Sequence, residues 1–104
     1  MTPVRLVLSD AATADILEQS DWYIAQSGAA LANRWEKAVT SAVLRVVNRP
    51  AAGAPCSFSH SELLDIRRTA ITGFPKHLIF YRFSEGTVFV LRVVHGARDL
   101  ERLL

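Results

Sequence analysis

Two stretches of helical periodicity fill most of the first half of the chain. Apolar residues recur at helical spacing over residues 11–27 and again over 30–48, which predicts two amphipathic helices. Gly28 fits the left-handed position that ends a helix, and Pro50 cannot continue one. Because only a short glycine-containing turn joins the two stretches, they predict an antiparallel helical hairpin. A weak alternation over residues 3–8 predicts a short strand before the hairpin.

The second half of the chain has the pattern of a sheet. Strands are predicted over residues 63–70, 76–83 and 87–94, after an irregular segment at 50–62 that is rich in proline and serine. The resulting order is β-α-α-β-β-β. It predicts an α+β fold in which the helical hairpin packs on one face of a small, curved antiparallel sheet. The length suits a single domain over residues 1–104.

The last two predicted strands are apolar on both faces. Residues 78–81 and 88–91 contain no polar side chain other than the tyrosine hydroxyl, whereas a sheet covered on one face alternates apolar and polar residues. Two helices cover only one face. The other face must be closed by sheet curvature, by the tail at 97–104, predicted as one helical turn, or by another protein. Exposed apolar patches usually mark interaction sites, so we expect a protein partner.

The composition narrows the class of protein. The chain has 104 residues, of which 50% are apolar and 21% charged, so it can bury a core, unlike a disordered chain. Its single cysteine, Cys56, excludes an internal disulfide and a cysteine metal cluster, and it fits a reducing compartment. No apolar run approaches the roughly 20 residues of a spanning helix, and the first residues lack a signal-peptide pattern. We therefore expect a soluble, cytoplasmic protein with no cofactor, no metal and no membrane contact.

Arginine dominates the basic residues, since only Lys37 and Lys76 are lysines. The guanidinium group offers a planar fork for carboxylates and phosphates. Several arginines lie on or just after the predicted strands and could form a phosphate-binding surface: Arg67, Arg68, Arg82, Arg92 and Arg98. Adjacent strand residues point to opposite faces, so Arg67 and Arg68 cannot both join one cluster. The equally weighted alternative is ion pairing with nearby acids: Asp65, Glu85, Asp99 and Glu101.

The three histidines are too scattered for a local metal motif. Each is a candidate general acid or base near neutral pH. His95 draws most interest because it ends the last predicted strand, before Gly96 and close to Arg98. A structural role, in which the ring bonds the turn backbone, is the commoner outcome for such a residue. His77 is interpreted as structural and His60 as solvated. The isolated glycines form no phosphate-binding loop, and the serines lack a nucleophile-elbow context.

The chain resembles the RelE/ParE superfamily of bacterial type II toxins over nearly its whole length, from about Leu6 to Leu103. The resemblance rests on the element order and on these segments: Ser9-Asp10-Ala11-Ala12, Leu64-Asp65-Ile66-Arg67, Leu78-Ile79-Phe80-Tyr81-Arg82 and His95-Gly96-Ala97-Arg98-Asp99. The last segment, following an apolar strand, is the most specific. The resemblance implies a toxin held inactive by a cognate antitoxin that wraps around it, which would supply the expected partner.

The superfamily has two relevant branches. ParE-like members poison DNA gyrase, and RelE-like members cleave mRNA in the ribosomal A site. RelE-like members use Lys, Arg, Glu or His on the strands together with a Tyr or His near the C-terminus. Here residues 100–104 contain neither Tyr nor His, and residues 63–70 contain no Lys. A ribonuclease would have to rely on His95 with Arg67 and Arg98. This departure favours the ParE-like branch.

The preferred hypothesis is a non-enzymatic, ParE-like toxin that poisons DNA gyrase and so blocks replication. A cognate ParD-like antitoxin would neutralise it, and contact with DNA would be indirect. We expect Arg67, Arg92 and Arg98 to make charged contacts with target or antitoxin, and Phe80 and Phe89 to make apolar ones. The alternative is a RelE-like ribosome-dependent mRNA endoribonuclease. A third option is a degenerate toxin that still binds its antitoxin but harms nothing.

Overall fold

The computed structural model describes residues 3–58, 61–96 and 104, and within them it contains two long helices and a five-stranded sheet. The elements, in chain order, are β1 (Arg5–Leu8), α1 (Asp10–Ser27), α2 (Ala29–Asn48), β2 (Ala54–Pro55), β3 (Arg67–Ile71), β4 (Phe74–Ser84) and β5 (Thr87–His95). Short 3-10 turns lie at Pro50–Ala52 and Ser61–Leu63. The predicted α+β architecture is confirmed. The helical turn expected within 97–104 lies outside the described residues, apart from Leu104.

Local chemistry explains both ends of the helical hairpin. The Ser9 hydroxyl accepts the Ala12 N–H at 2.9 Å, which satisfies a free donor of the first turn of α1. The same hydroxyl donates to the Leu91 carbonyl at 2.7 Å, so the cap also ties the helix to the last strand. Gly28 joins the two helices at φ 88°, a conformation that side chains with a Cβ rarely adopt. The predicted helix bounds are confirmed to within one residue.

The sheet has the strand order β1-β5-β4-β3-β2. β2, β3, β4 and β5 pair antiparallel with their neighbours, whereas β1 runs parallel to β5, from Arg5 opposite Thr87 to Leu8 opposite Val90. The sheet is therefore mixed, and the prediction of a purely antiparallel sheet is wrong for this one pair. The hydrophobic pattern indicates that residues 5–8 form a strand, but it contains no information about which neighbour the strand joins.

The segment before β3 is more ordered than its sequence predicts. Residues 54–55 pair with Arg67 and Arg68 as a short outer strand, and the 3-10 turn at 61–63 replaces the start of the strand predicted from residue 63. The Cys56 N–H donates to the Ile66 carbonyl at 2.9 Å. This segment turns Ile66, which is completely buried, towards the sheet.

The sheet has a core on each face. The larger core lies under the helices; its buried members are Ala12, Trp35, Val39, Ala42, Val43, Val46, Ile71, Ile79, Tyr81, Val88, Val90 and Val93. The smaller core, on the other face, consists of Ile66, Phe80 and Val94, packed against partly buried Cys56, Phe58, Leu63, Leu78, Leu91 and Leu104. The second apolar face is thus partly covered within the chain by Cys56, Phe58, Leu63 and Leu104. No described helix is both long enough and apolar enough to span a membrane.

Candidate functional site

The most tightly organised polar contact lies where β1 ends and α1 begins. Beyond Val90, β5 has no strand neighbour on that side, and the Asp15 carboxylate of α1 takes the place of one. It accepts the Val93 N–H at 3.0 Å and two guanidinium N–H groups of Arg92, each at 2.7 Å. The two side chains are only 9% and 20% exposed. Asp15 therefore joins the helix to the free edge of the strand.

This contact determines the state of Arg92, one of the predicted contact residues. The hydrogen bond that Arg92 donates to Asp15 raises the pKa of Arg92 above its ordinary value, and this outweighs the opposing effect of burial. The guanidinium forms a bidentate pair, the strongest arrangement available to arginine and carboxylate. Ion pairing was the expected alternative for the arginines, but Asp15 was not among the proposed partners. Most of the Arg92 side chain is directed into the protein.

A groove of about 500 Å³ opens beside this pair, between α1 and the ends of β4 and β5. Its lining contains carboxylates, aromatic rings and both described histidines: Asp15, Glu18, Gln19, Trp22, Tyr23, His77, Val93, Val94 and His95. His77 and His95 lie opposite each other on the paired strands, with ring centroids 5.7 Å apart. Burial lowers the pKa of His77, and the nearby His95 lowers it further. His77 also packs against Trp35, at 4.8 Å between rings, which supports its predicted structural role.

Arg67 stabilises a different part of the molecule, the loop that follows α2. It donates to the carbonyls of Gly53 and Ala51, at 2.7 and 3.2 Å, and so holds the loop that follows α2. The buried Tyr81, its partner across the strands, bonds the same loop: its hydroxyl donates to the Pro50 carbonyl at 2.7 Å and accepts the Gly53 N–H at 3.0 Å. A Cβ on Gly53 would collide with the Tyr81 ring. The loop conformation therefore depends on Tyr81 and Arg67 together.

The residues of the ribonuclease hypothesis are not brought together. Arg67 pairs in register with Tyr81, whereas His95 pairs with His77, four positions away along β4. At about 3.3 Å per residue this is about 13 Å along the strand, and β3 and β5 are also separated by β4. The Arg67 guanidinium is directed to the loop. Arg98, the third member of the set, lies outside the described residues, as does His60.

The two predicted apolar contact residues have different surroundings. Phe80 is completely buried in the smaller core, so in this structure it supports the surface from beneath. Phe89 is 37% exposed and lies beside Val7 in the parallel pair. Further exposed apolar side chains surround this edge. We name the set the β1 edge surface: Leu6, Val7, Leu8, Phe83 and Phe89. The predictions for these residues as partner contacts remain predictions.

Sequence reasoning missed several of these contacts. Asp15 was not among the predicted site residues, and nothing local signals its partner 77 positions away. The pairing of Arg82 with Asp65, at 2.8 Å, matches the ion-pair alternative. Leu17, Trp22 and Ile24 of α1 are also exposed. Among the described residues, no group of three or more His, Cys, Asp and Glu side chains is arranged to hold a metal ion.

Comparisons with known proteins agree with one another. A sequence model of the family described as the ParE toxin of the type II toxin–antitoxin system parDE matches residues 6–100. A search of curated protein sequences finds no match. Among solved structures, a chain from the chromosomal ParDE toxin–antitoxin system of P. aeruginosa is similar, with a TM-score of 0.74 and 16% sequence identity. The similarity covers 89% of this chain and 96% of that chain, and it is a similarity of fold.

Proposed function

The chain belongs to the ParE toxin family of type II toxin–antitoxin systems, and from that membership we propose that it poisons DNA gyrase, blocks replication and is neutralised by a cognate ParD-like antitoxin. The observation that carries this proposal is the family match over residues 6–100. The fold shared with a chain of a ParDE system supports it. In this proposal the toxin acts by binding its target, without chemistry of its own.

The β1 edge surface supports an antitoxin partner. Its five side chains are exposed although all are large and apolar, and soluble proteins rarely leave such residues together on the surface unless something covers them. In the described chain, β1 has a strand neighbour on one side only, so its other side presents unpaired backbone groups. An extended antitoxin segment can pair with such an edge and cover exposed apolar side chains of β1.

Charged contacts with the antitoxin would add to the apolar contact at the β1 edge surface. An acidic antitoxin is attracted to the arginines, and Arg67, Arg92 and Arg98 remain our candidates for contact with antitoxin or target. Arg67 uses one guanidinium nitrogen for the loop carbonyls, so its other nitrogens are not committed in the described contacts. Arg92 is mostly committed to Asp15, and its contribution would come through its exposed fraction.

The separation of Arg67 from His95 supports a binder over a ribonuclease. Cleavage of RNA through its own 2′-hydroxyl requires a base, an acid and charge stabilisation within hydrogen-bond reach of one phosphate. The described part of the chain does not gather such a set around His95 and Arg67. The RelE-like alternative is therefore kept as an outcome of the experiment below.

The experiment is to induce the chain alone in a bacterial host and to follow DNA and protein synthesis separately by pulse labelling. We expect DNA synthesis to stop first and purified gyrase to accumulate cleaved-DNA complexes with the toxin. A first arrest of protein synthesis would favour the ribonuclease. His95→Ala is the matched variant: it should stay toxic if the chain poisons gyrase and lose toxicity if the chain is a ribonuclease.

A second variant tests Arg98. Arg98→Ala should lose toxicity while remaining folded, and unchanged growth arrest would remove Arg98 from the site.

A further inference from the structure

A row of basic side chains runs along one face of α2. Arg34, Lys37 and Arg45 lie within about 80° of one another around α2, and Arg49 follows as the residue that caps its C-terminal end. All four are exposed, and they share their face with Ser41 and the half-buried Ala38. The exposed Leu44 lies two turns beyond Lys37. The row extends over about 22 Å at 1.5 Å per residue. We call these four residues the basic row.

No carboxylate neutralises the basic row within the described residues. Neither of the ion pairs found there involves any of its members. Glu36, the acidic residue of α2, projects from another side of the helix and accepts the hydroxyl hydrogen of Ser20. Arg45 makes a long hydrogen bond, 3.4 Å, to the Thr72 hydroxyl. These four cations differ in this respect from Arg82 and Arg92, which are both paired with carboxylates.

The basic row ends at a pocket of about 370 Å³ between α2 and β3. Its lining contains two guanidinium groups, hydroxyls and an amide, but no carboxylate: Arg45, Val46, Asn48, Arg49, Ala52, Gly53, Thr69 and Tyr81. Arg67 and Tyr81 hold the loop that forms one wall, so this wall is built by specific contacts. Guanidinium and hydroxyl groups around a pocket of this size suit a phosphate group and its sugar.

We propose that the basic row and this pocket bind the phosphate backbone of a nucleic acid. The cations of the row have no carboxylate partner within the described residues, and binding of nucleic acids comes largely from contacts between such cations and phosphates. A row of about 22 Å matches the length of about six base pairs. The proposal concerns the purified chain alone and does not depend on the choice of gyrase as the target.

The test measures binding of the purified chain to a fluorescent 20-base-pair DNA duplex, and to a single-stranded RNA of equal length, by anisotropy. If three phosphates are contacted, the slope of log K against log salt is about −2.7 for the duplex, and affinity falls about 40-fold from 50 to 200 mM salt. The double variant Arg45→Gln/Arg49→Gln should reduce the slope by about 2. Tighter binding of either the DNA duplex or the RNA supports the proposal and identifies which nucleic acid supplies the phosphates.

A matched control removes the same charge elsewhere. Arg5→Gln/Lys76→Gln changes two exposed residues on β1 and β4, away from α2, and should leave most of the binding intact. Circular dichroism melts establish that both variants are folded. Equal losses in the two double variants would mean that only net charge matters, and this overturns the proposal. Tighter binding of poly-glutamate than of either nucleic acid overturns it in favour of an acidic peptide.

Discussion

Replacing Asp15 with alanine removes three hydrogen bonds with one change. The carboxylate holds the Arg92 guanidinium in a two-point contact and also accepts the Val93 N–H. Without it, a guanidinium whose side chain is only 20% exposed loses its two-point carboxylate contact, and a strand amide loses its acceptor. Breaking a buried pair by removing one partner costs about 3–5 kcal/mol. Because Arg92 keeps some contact with water, we expect the lower end, about 3 kcal/mol.

Urea unfolding measures this loss. With an m-value of about 1.5 kcal/mol/M, a loss of about 3 kcal/mol lowers the midpoint by about 2 M. Arg92→Lys keeps the positive charge but not the planar fork, so we expect about half of the effect. Asp21→Ala is the matched control, because Asp21 is an exposed acid of the same helix, and its removal should stay within about 0.5 kcal/mol. Equal midpoints for Asp15→Ala and Asp21→Ala would refute the assignment of Asp15 as the link between α1 and β5.

Three further predictions concern other parts of the structure. Tyr81→Phe removes two hydrogen bonds to the loop after α2 and should lower the free energy of unfolding by about 1–3 kcal/mol, measured in urea; an unchanged midpoint would contradict it. Phe80→Ala should cost about 3–5 kcal/mol, because this side chain is completely buried, whereas Phe89→Ala should cost less and instead weaken antitoxin binding in titration calorimetry. Because the pKa of His77 is lowered from 6.5 in the folded chain, the unfolded chain binds more protons, so stability should fall as the pH drops below 6.5. His77→Asn should flatten that decline, and an identical pH profile would count against it.

The helices were predicted almost completely from the sequence. Their apolar stripes, the Ser9 cap and the Gly28 turn act within a few residues of one another, so a local pattern contains the information. The three later strands were also found, although β3 begins at Arg67 rather than at residue 63. That boundary failed because Leu63 and Ile66 are apolar for another reason: they pack against the smaller core. An apolar run alone does not distinguish a strand from a segment that covers one.

The candidate sites were predicted only in part. The arginines of the strands were identified as important, but whether each is paired depended on residues distant in the chain, as with Arg92 and Asp15, which are 77 positions apart. The basic row was not among the predicted sites, because those were placed on the strands. Arg34, Lys37 and Arg45 nevertheless lie on one side of the helix that the sequence predicts.

By itself, the sequence determined the two helices, the three later strands, a sheet apolar on both faces and membership of a toxin superfamily. The helices, strands and apolar sheet follow from patterns of residue type at short spacing, where backbone geometry dictates which side chains share a face. The superfamily was identified from the resemblance to known toxins. Only the tertiary structure decided that β1 pairs parallel with β5, that Cys56, Phe58 and Leu63 cover the second face, and that Asp15 holds Arg92. These contacts join residues far apart in the chain, and they depend on how whole elements pack, which no local pattern specifies.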